Sequence, residues 1–254
     1  MCLLLVAWKV HPEYPLVVAA NRDEFYARPT QPLHRWPEEG GLVAGRDVTS
    51  GGTWLGVHEA RFAAVTNVRE GVPTGAGSPR SRGLLTTDFL AGAEAPGTYA
   101  QAVAADGDRY EGFNLLACDL EELWWTSNRF GTEPVTPGIH GLSNSALDTA
   151  WPKVTEGTAA FERLAATDDG SEDTTERYLN LLFDTTPAPP NLLPQTGVGE
   201  QMERVLSSRF VDFEEYGYGT RASTVVRMRA DGGFAVTERR YEKSRITGET
   251  TITS

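Results

Sequence analysis

The sequence predicts an antiparallel α+β fold in one domain spanning residues 1–254. Its β-rich runs come in adjacent pairs joined by turn residues, its helical segments are inserted between those pairs, and no regular strand–helix alternation marks a parallel sheet. The first pair is LLLVAW (3–8) and LVVAA (16–20), with HPEYP (11–15) as turn chemistry between them. If the turn centres near residues 13–14, antiparallel pairing sets Cys2 opposite the neighbourhood of Glu24 and Phe25.

The next strands are read over 42–57 and 61–68, broken by paired glycines and turning at 58–60. Residues 78–93 read as a loop entering a helix, capped by Ser78 or Ser81, with Leu84, Leu85 and Phe89 on one face; a second helix covers 97–105. Residues 113–120 and 122–128 form another hairpin, and 140–154 a strand end with a polar turn. A helix is expected from near Trp151, an acidic loop over 166–175, and a short helix over 175–184. The Pro-rich stretch 187–197 is a connector within the domain, because the β pattern resumes after it. The last hairpin pairs 221–230 with 234–242 through Asp-Gly-Gly, and its solvent face is expected to be arginine-rich.

Composition narrows the function classes. With 40% hydrophobic residues the chain can bury a sizeable core, and no apolar stretch is long enough to span a bilayer. The run after Cys2 is too short and too soon interrupted to be a secretory signal, so a cytoplasmic protein is expected. The net charge is −12, with lysine only at Lys9, Lys153 and Lys243, and no basic face is offered to nucleic acid. Such acidity fits a salt-adapted surface and an ordinary acidic protein equally well. Two cysteines, Cys2 and Cys118, neither in a CxxC motif, make no disulfide framework and no structural metal site. The histidines His11, His34, His58 and His140 are scattered in turn-like contexts, none paired at ligand spacing. Nothing in the sequence sets an oligomeric state.

Cys2 is the residue with chemistry. Cysteine is small enough for Met1 to be removed ahead of it, and the resulting N-terminus would carry a thiol and a free α-amine on one residue. An α-amine with a pKa near ~8 can accept the thiol proton at neutral pH. Asn21, Arg22, Asp23 and Glu24 lie opposite it: a nearby arginine favours thiolate and an acid orients the amine. Strand alternation puts Arg22 and Glu24 on one face and Asn21 and Asp23 on the other.

MCLLLVAW followed by ANRDEFYARPT resembles the NRDE family, also called the transport and Golgi organisation family. The likeness continues through GGTWLGV (51–57), VTNVREG (65–71), SRGLL (81–85), GLSNSALDTAWPKV (141–154) and YGTRASTVV (218–226), in the family's order. It implies an N-terminal-nucleophile hydrolase fold, a four-layer αββα sandwich of two antiparallel sheets between helical layers. More distantly the chain resembles bile-salt hydrolases and penicillin V acylases. That likeness implies Cys2 as nucleophile, with Arg22 and Asp23 closing the first hairpin and Asn67 and Asn144 as oxyanion-hole residues. It also implies a late arginine, which is Arg221 by the family's own motif or Arg209 by local context. Asn21 and Glu24 are second-line members.

The expected activity is cleavage of a non-peptide amide C–N bond in a small molecule, with no cofactor required. The family has also been linked to haem trafficking, so the alternative is a haem carrier on the same fold, with Cys2 or a histidine touching iron.

Overall fold

The computed structural model describes residues 2–71 and 80–254. In chain order its elements are β1 (Cys2–Trp8), β2 (Leu16–Phe25), β3 (Thr30–Trp36), β4 (Leu42–Asp47), β5 (Leu55–His58) and β6 (Arg61–Asn67), then helices α1 (Gly83–Ala91) and α2 (Pro96–Ala105). There follow β7 (Phe113–Cys118), β8 (Leu123–Ser127), β9 (Gly131–Pro134) and β10 (Gly138–Leu142), then α3 (Pro152–Ala165), α4 (Glu172–Leu182) and the short α5 (Glu200–Val205). The chain closes with β11 (Asp212–Phe213), β12 (Tyr218–Met228), β13 (Phe234–Glu242) and β14 (Arg245–Thr253).

Two antiparallel sheets result. One runs β10-β1-β2-β12-β13-β14, with β11 pairing on β12; the other is the meander β3 to β9 in sequence order. Strand β1 shows why the sheets are sandwiched. It is buried along its whole length, and its alternate side chains serve two different cores. Leu4, Val6 and Trp8 pack with Val57, Phe62 and Leu116 between the sheets, whereas Leu3, Leu5 and Ala7 pack with Phe161, Tyr178 and Leu182 of α3 and α4. On the second sheet's outer face, Phe89 and Leu90 of α1 cover Ala44, Ala63 and Ala117. The layers are therefore helix, sheet, sheet, helix, an α+β sandwich. No helix among the described residues is long and apolar enough to cross a membrane.

The first hairpin differs from expectation in register. Cys2 pairs with Arg22 and Trp8 with Leu16, so the hairpin centres on residue 12 rather than 13–14. The turn opens earlier because Lys9 takes a left-handed conformation (φ 50°) and donates its N–H to Pro15 O at 2.7 Å. The run 42–57, broken by its paired glycines, is two strands, β4 and β5, separated by a turn in which Asp47 Oδ1 accepts the N–H groups of Thr49 and Ser50. Helix α4 begins earlier than expected, because Ser171 caps it by accepting the Thr174 N–H at 3.1 Å. Of the two serines considered as caps for α1, Ser81 accepts the Gly83 N–H at 3.3 Å, and Ser78 lies outside the described residues. The arginines of the last hairpin are not all on the solvent face. Arg227 is buried and its Nε donates to both oxygens of Asp168, at 2.9 and 2.8 Å.

One backbone crossing shapes the site's wall. A Cβ on Gly52 would stand 2.4 Å from the carbonyl carbon of Gly83, so the β4–β5 turn can seat against the start of α1 only with glycine there.

Candidate active site

Cys2 begins β1 at the floor of a cleft of about 590 Å³ lying between the ends of the two sheets. Cys2 pairs with Arg22 of β2, and β10 joins the other side of β1 from Leu4 onward, so the residue is an end of the ladder. The Ser143 hydroxyl donates to Cys2 O at 2.9 Å, and Thr66 Oγ1 donates to Ser143 O at 2.7 Å, which staples the end of β6 to the start of β1 across the sheets.

Arg22, directly opposite Cys2, lines the same cleft. Its guanidinium carbon lies 4.2 Å from the centre of the Trp54 ring, its Nη1 donates to Thr30 Oγ1 at 3.2 Å, and Glu24 and Asp47 stand 3.7 and 3.8 Å from Nη2. Burial pulls the guanidinium pKa down, opposed by Glu24, Cys2 and Asp47. Asp23 also borders the cleft and accepts from Thr220 Oγ1 at 2.7 Å. Burial pushes its carboxyl up, opposed in part by Lys153, the Thr220 hydrogen bond and Arg69. The Cys2 thiol is likewise pushed up by burial, with Asp23's charge adding to the rise and Arg22 working against it. Asn21, on the other face, serves the helices instead: its Nδ2 donates to Leu182 O and Arg209 O, and its Oδ1 accepts from Ser223 at 2.6 Å.

Asn67, the last residue of β6, lines the cleft. Asn144 is fully buried next to it, and its Nδ2 donates to Asn67 O at 2.8 Å and to Asn67 Oδ1 at 3.2 Å. The structure thus brings both asparagines to the site but gives them different stations, Asn67 facing the cleft and Asn144 fixing it from behind. The late arginines stand apart. Arg221 is the extra residue of a β-bulge between Thr220 and Ala222, which aims its Nη1 at Phe25 O (3.1 Å) and Tyr26 O (2.9 Å), away from the cleft. Arg209 donates from Nε to Leu181 O and pairs with Asp184 in the helical layer.

A model of the family "Transport and Golgi organisation 2" matches residues 1–243. The chain belongs to that family. It is 34% identical to the bovine transport and Golgi organization protein 2 homolog, the alignment covering 94% of this chain and 92% of the relative. It is 33% identical to the human homolog over the same shares, and 28% identical to the Drosophila melanogaster protein over 89% and 87%.

Within this member of the family, sequence reasoning missed two buried cations whose charges act on Asp23. Arg69 and Lys153 both act on the Asp23 carboxyl, and both lie in stretches that carry the family likeness, VTNVREG and GLSNSALDTAWPKV. Lysine is so rare in this chain that Lys153 was itself a signal. Trp54, the platform under Arg22, also lines the cleft. None of the four histidines lines the cleft, so within it the haem alternative would rest on Cys2. Both ring nitrogens of His11, His58 and His140 are already held by hydrogen bonds elsewhere. Cys118 is buried under β-sheet contacts, and burial pushes its thiol up to about 12.

Proposed function

We propose that the protein is a cytoplasmic N-terminal cysteine amidohydrolase, cleaving the amide C–N bond of a small molecule once Met1 has been removed. The observation that carries this reading is the placement of Cys2. A cysteine that becomes the N-terminus stands in an open polar cleft, opposite an arginine and with Asn67 in the same lining.

The chemistry follows from these groups. The α-amine of Cys2 takes the thiol proton, and the thiolate, favoured by Arg22, attacks the amide carbon. Negative charge moves to the carbonyl oxygen, for which the side-chain N–H group of Asn67 in the cleft lining is the donor, its own oxygen being engaged by Asn144. The α-ammonium then gives its proton to the departing nitrogen, leaving a thioester on Cys2 and a free amine. Water, deprotonated by the same amine, cleaves the thioester and releases the acid. Asp23, buried beside the site, orients the amine and balances its charge when protonated. The cleft volume suits a small molecule better than a folded protein.

The test is acylation with an activated ester probe, comparing wild type with Cys2→Ala. One acyl group on the N-terminal peptide of wild type and none on the variant is the expected result. Acylation of Cys118 in preference to Cys2 overturns the reading.

A further inference from the structure

Residues directly paired in an antiparallel ladder stand side by side on one face of the sheet. Read across its strands, the sheet that carries Cys2 has one such row of Cys2, Arg22, Ala222, Arg240 and Gly248, one residue each from β1, β2, β12, β13 and β14. Two arginines therefore flank a single methyl group. Ala222 lines a second cavity, of about 130 Å³, together with Arg22, Arg221, Arg240, Trp54 and Thr30. This cavity shares Arg22 and Trp54 with the cleft of Cys2, so the stacked pair borders both spaces.

Three guanidinium groups around one small space need matching charge. Arg22 has Glu24 and Asp47 on the side of the cleft. Glu238, which also borders the second cavity, is buried, and its Oε1 accepts the Leu33 N–H from the opposite sheet at 2.9 Å and Arg240 Nη1 at 3.4 Å. Arg240 Nη1 donates to Thr250 Oγ1 at 2.8 Å as well, and its Nη2 lies over Gly248, where a Cβ would collide with it. Glu242, the other acid of the lining, is exposed. Arg221 differs from both arginines of the row. Its Nη1 is given to the uncharged carbonyls of Phe25 and Tyr26, while its Nε is buried with no acceptor among the described residues. A buried donor without an acceptor is rare, and Nε with Nη2 is the edge of the guanidinium fork that meets a two-oxygen anion side-on.

We infer that this second cavity is a binding site for an anionic group, a carboxylate or a phosphate, which takes the Nε edge of Arg221 and the charge of Arg240 in the gap that Ala222 leaves. The two small residues of the row make the site: a larger side chain at Ala222 fills the gap, and one at Gly248 pushes Arg240 off its seat. Adjacent strands stand about 4.8 Å apart, so the middle of the row lies about 10 Å from the Cys2 backbone, the length of a small molecule. The anion is either the acidic end of a molecule whose other end meets Cys2 or a free ion beside it. The recognising chemistry is the same.

The experiment has two arms, both on the full chain. In the first, melting curves in inorganic phosphate and in propionate are compared with curves in sodium chloride of equal ionic strength. Either anion is expected to raise the melting temperature of wild type by about 2–4 °C more than that of Arg240→Gln, which shares the general response to salt. Ala222→Leu, which keeps every charge and fills the gap, loses the same increment, and either variant suffices if the other does not fold. In the second arm, Cys2 is alkylated with ω-(bromoacetylamino)hexanoate and with its neutral primary amide, followed by mass on the N-terminal peptide. An acid that reacts about tenfold faster than the amide in wild type, and no faster than it in Arg240→Gln, assigns the anion to a molecule lying in the cleft. Equal rates beside a phosphate increment assign it to a free ion. Equal melting shifts in wild type and variants, together with equal rates, overturn the inference. Failure of both reagents to label Cys2 counts against the reactive thiol alone, and the melting arm then decides the cavity by itself.

Discussion

Cys2 and Arg22 face each other across the β1–β2 ladder, and the Arg22 guanidinium is clamped between the Trp54 ring, 4.2 Å away, and the carboxylates of Glu24 and Asp47. A cation so held is a fixed neighbour of the thiol. Arg22→Gln therefore raises the midpoint of Cys2 alkylation by about one pH unit. The same rate-against-pH measurement on the N-terminal peptide checks it, and Trp54→Leu, which removes the platform but leaves the charge, gives a smaller change in the same direction.

Asn67 is expected to act on the oxyanion and not on the thiol. Asn67→Ala slows acylation of Cys2 by p-nitrophenyl acetate by about 10²–10³ while its alkylation by iodoacetamide stays unchanged. Parallel rate measurements with the two reagents separate the roles. Equal slowing of both would mean that the substitution had disturbed Cys2 itself.

The sequence made the layers readable where an apolar run serves two cores. LLLVAW and LVVAA could only be buried strands, and their pairing follows from the turn between them. Register was less legible, since it turns on the backbone conformation of Lys9, a residue with no turn signal. Strand β3 was missed because Pro32 interrupts it and its pairing with β4 is irregular, and β14 because an exposed edge strand of threonines carries no apolar pattern. Of the site, Cys2, Arg22, Asp23 and Asn67 were legible from motif and likeness. The buried charges were not: Arg69 and Glu203 lie 134 positions apart, and only folding makes them partners. Arg221 was read as a site residue because the motif around it is distinctive, but the bulge that redirects it leaves no mark in composition.

Gly52 is expected to tolerate no side chain. With a Cβ meeting the Gly83 backbone, which has no rotamer to shift, Gly52→Ala destabilises by about 1–3 kcal/mol. Urea denaturation measures it, and Gly51→Ala beside it is a poor control because Gly51 has a positive φ of 81°. A better comparison is Thr49→Ala in the same turn, where the side chain is exposed.

His140 gives the fold a pH signature. Its Nδ1 meets Asp148 Oδ2 at 2.7 Å and its Nε2 meets Thr136 O at 2.8 Å, and the Asp148 hydrogen bond raises the imidazole above its ordinary 6.5. A folded-state pKa above the unfolded one means the stabilisation is fully present below 6.5 and is lost as the pH rises through the higher folded value. His140→Gln therefore lowers the melting temperature at acid pH, and the gap to wild type closes toward alkaline pH. Melting curves of both proteins across that range check the sign, and a gap that widens with pH contradicts it.

The central claim is that Cys2 works as an N-terminal residue, with its own α-amine as base. The measurement that reaches it most directly is the intact mass of the purified protein with sequencing of its first residue. The account predicts a chain that begins at Cys2 with a free amine; a protein that retains Met1, or carries a blocked Cys2 amine, contradicts it.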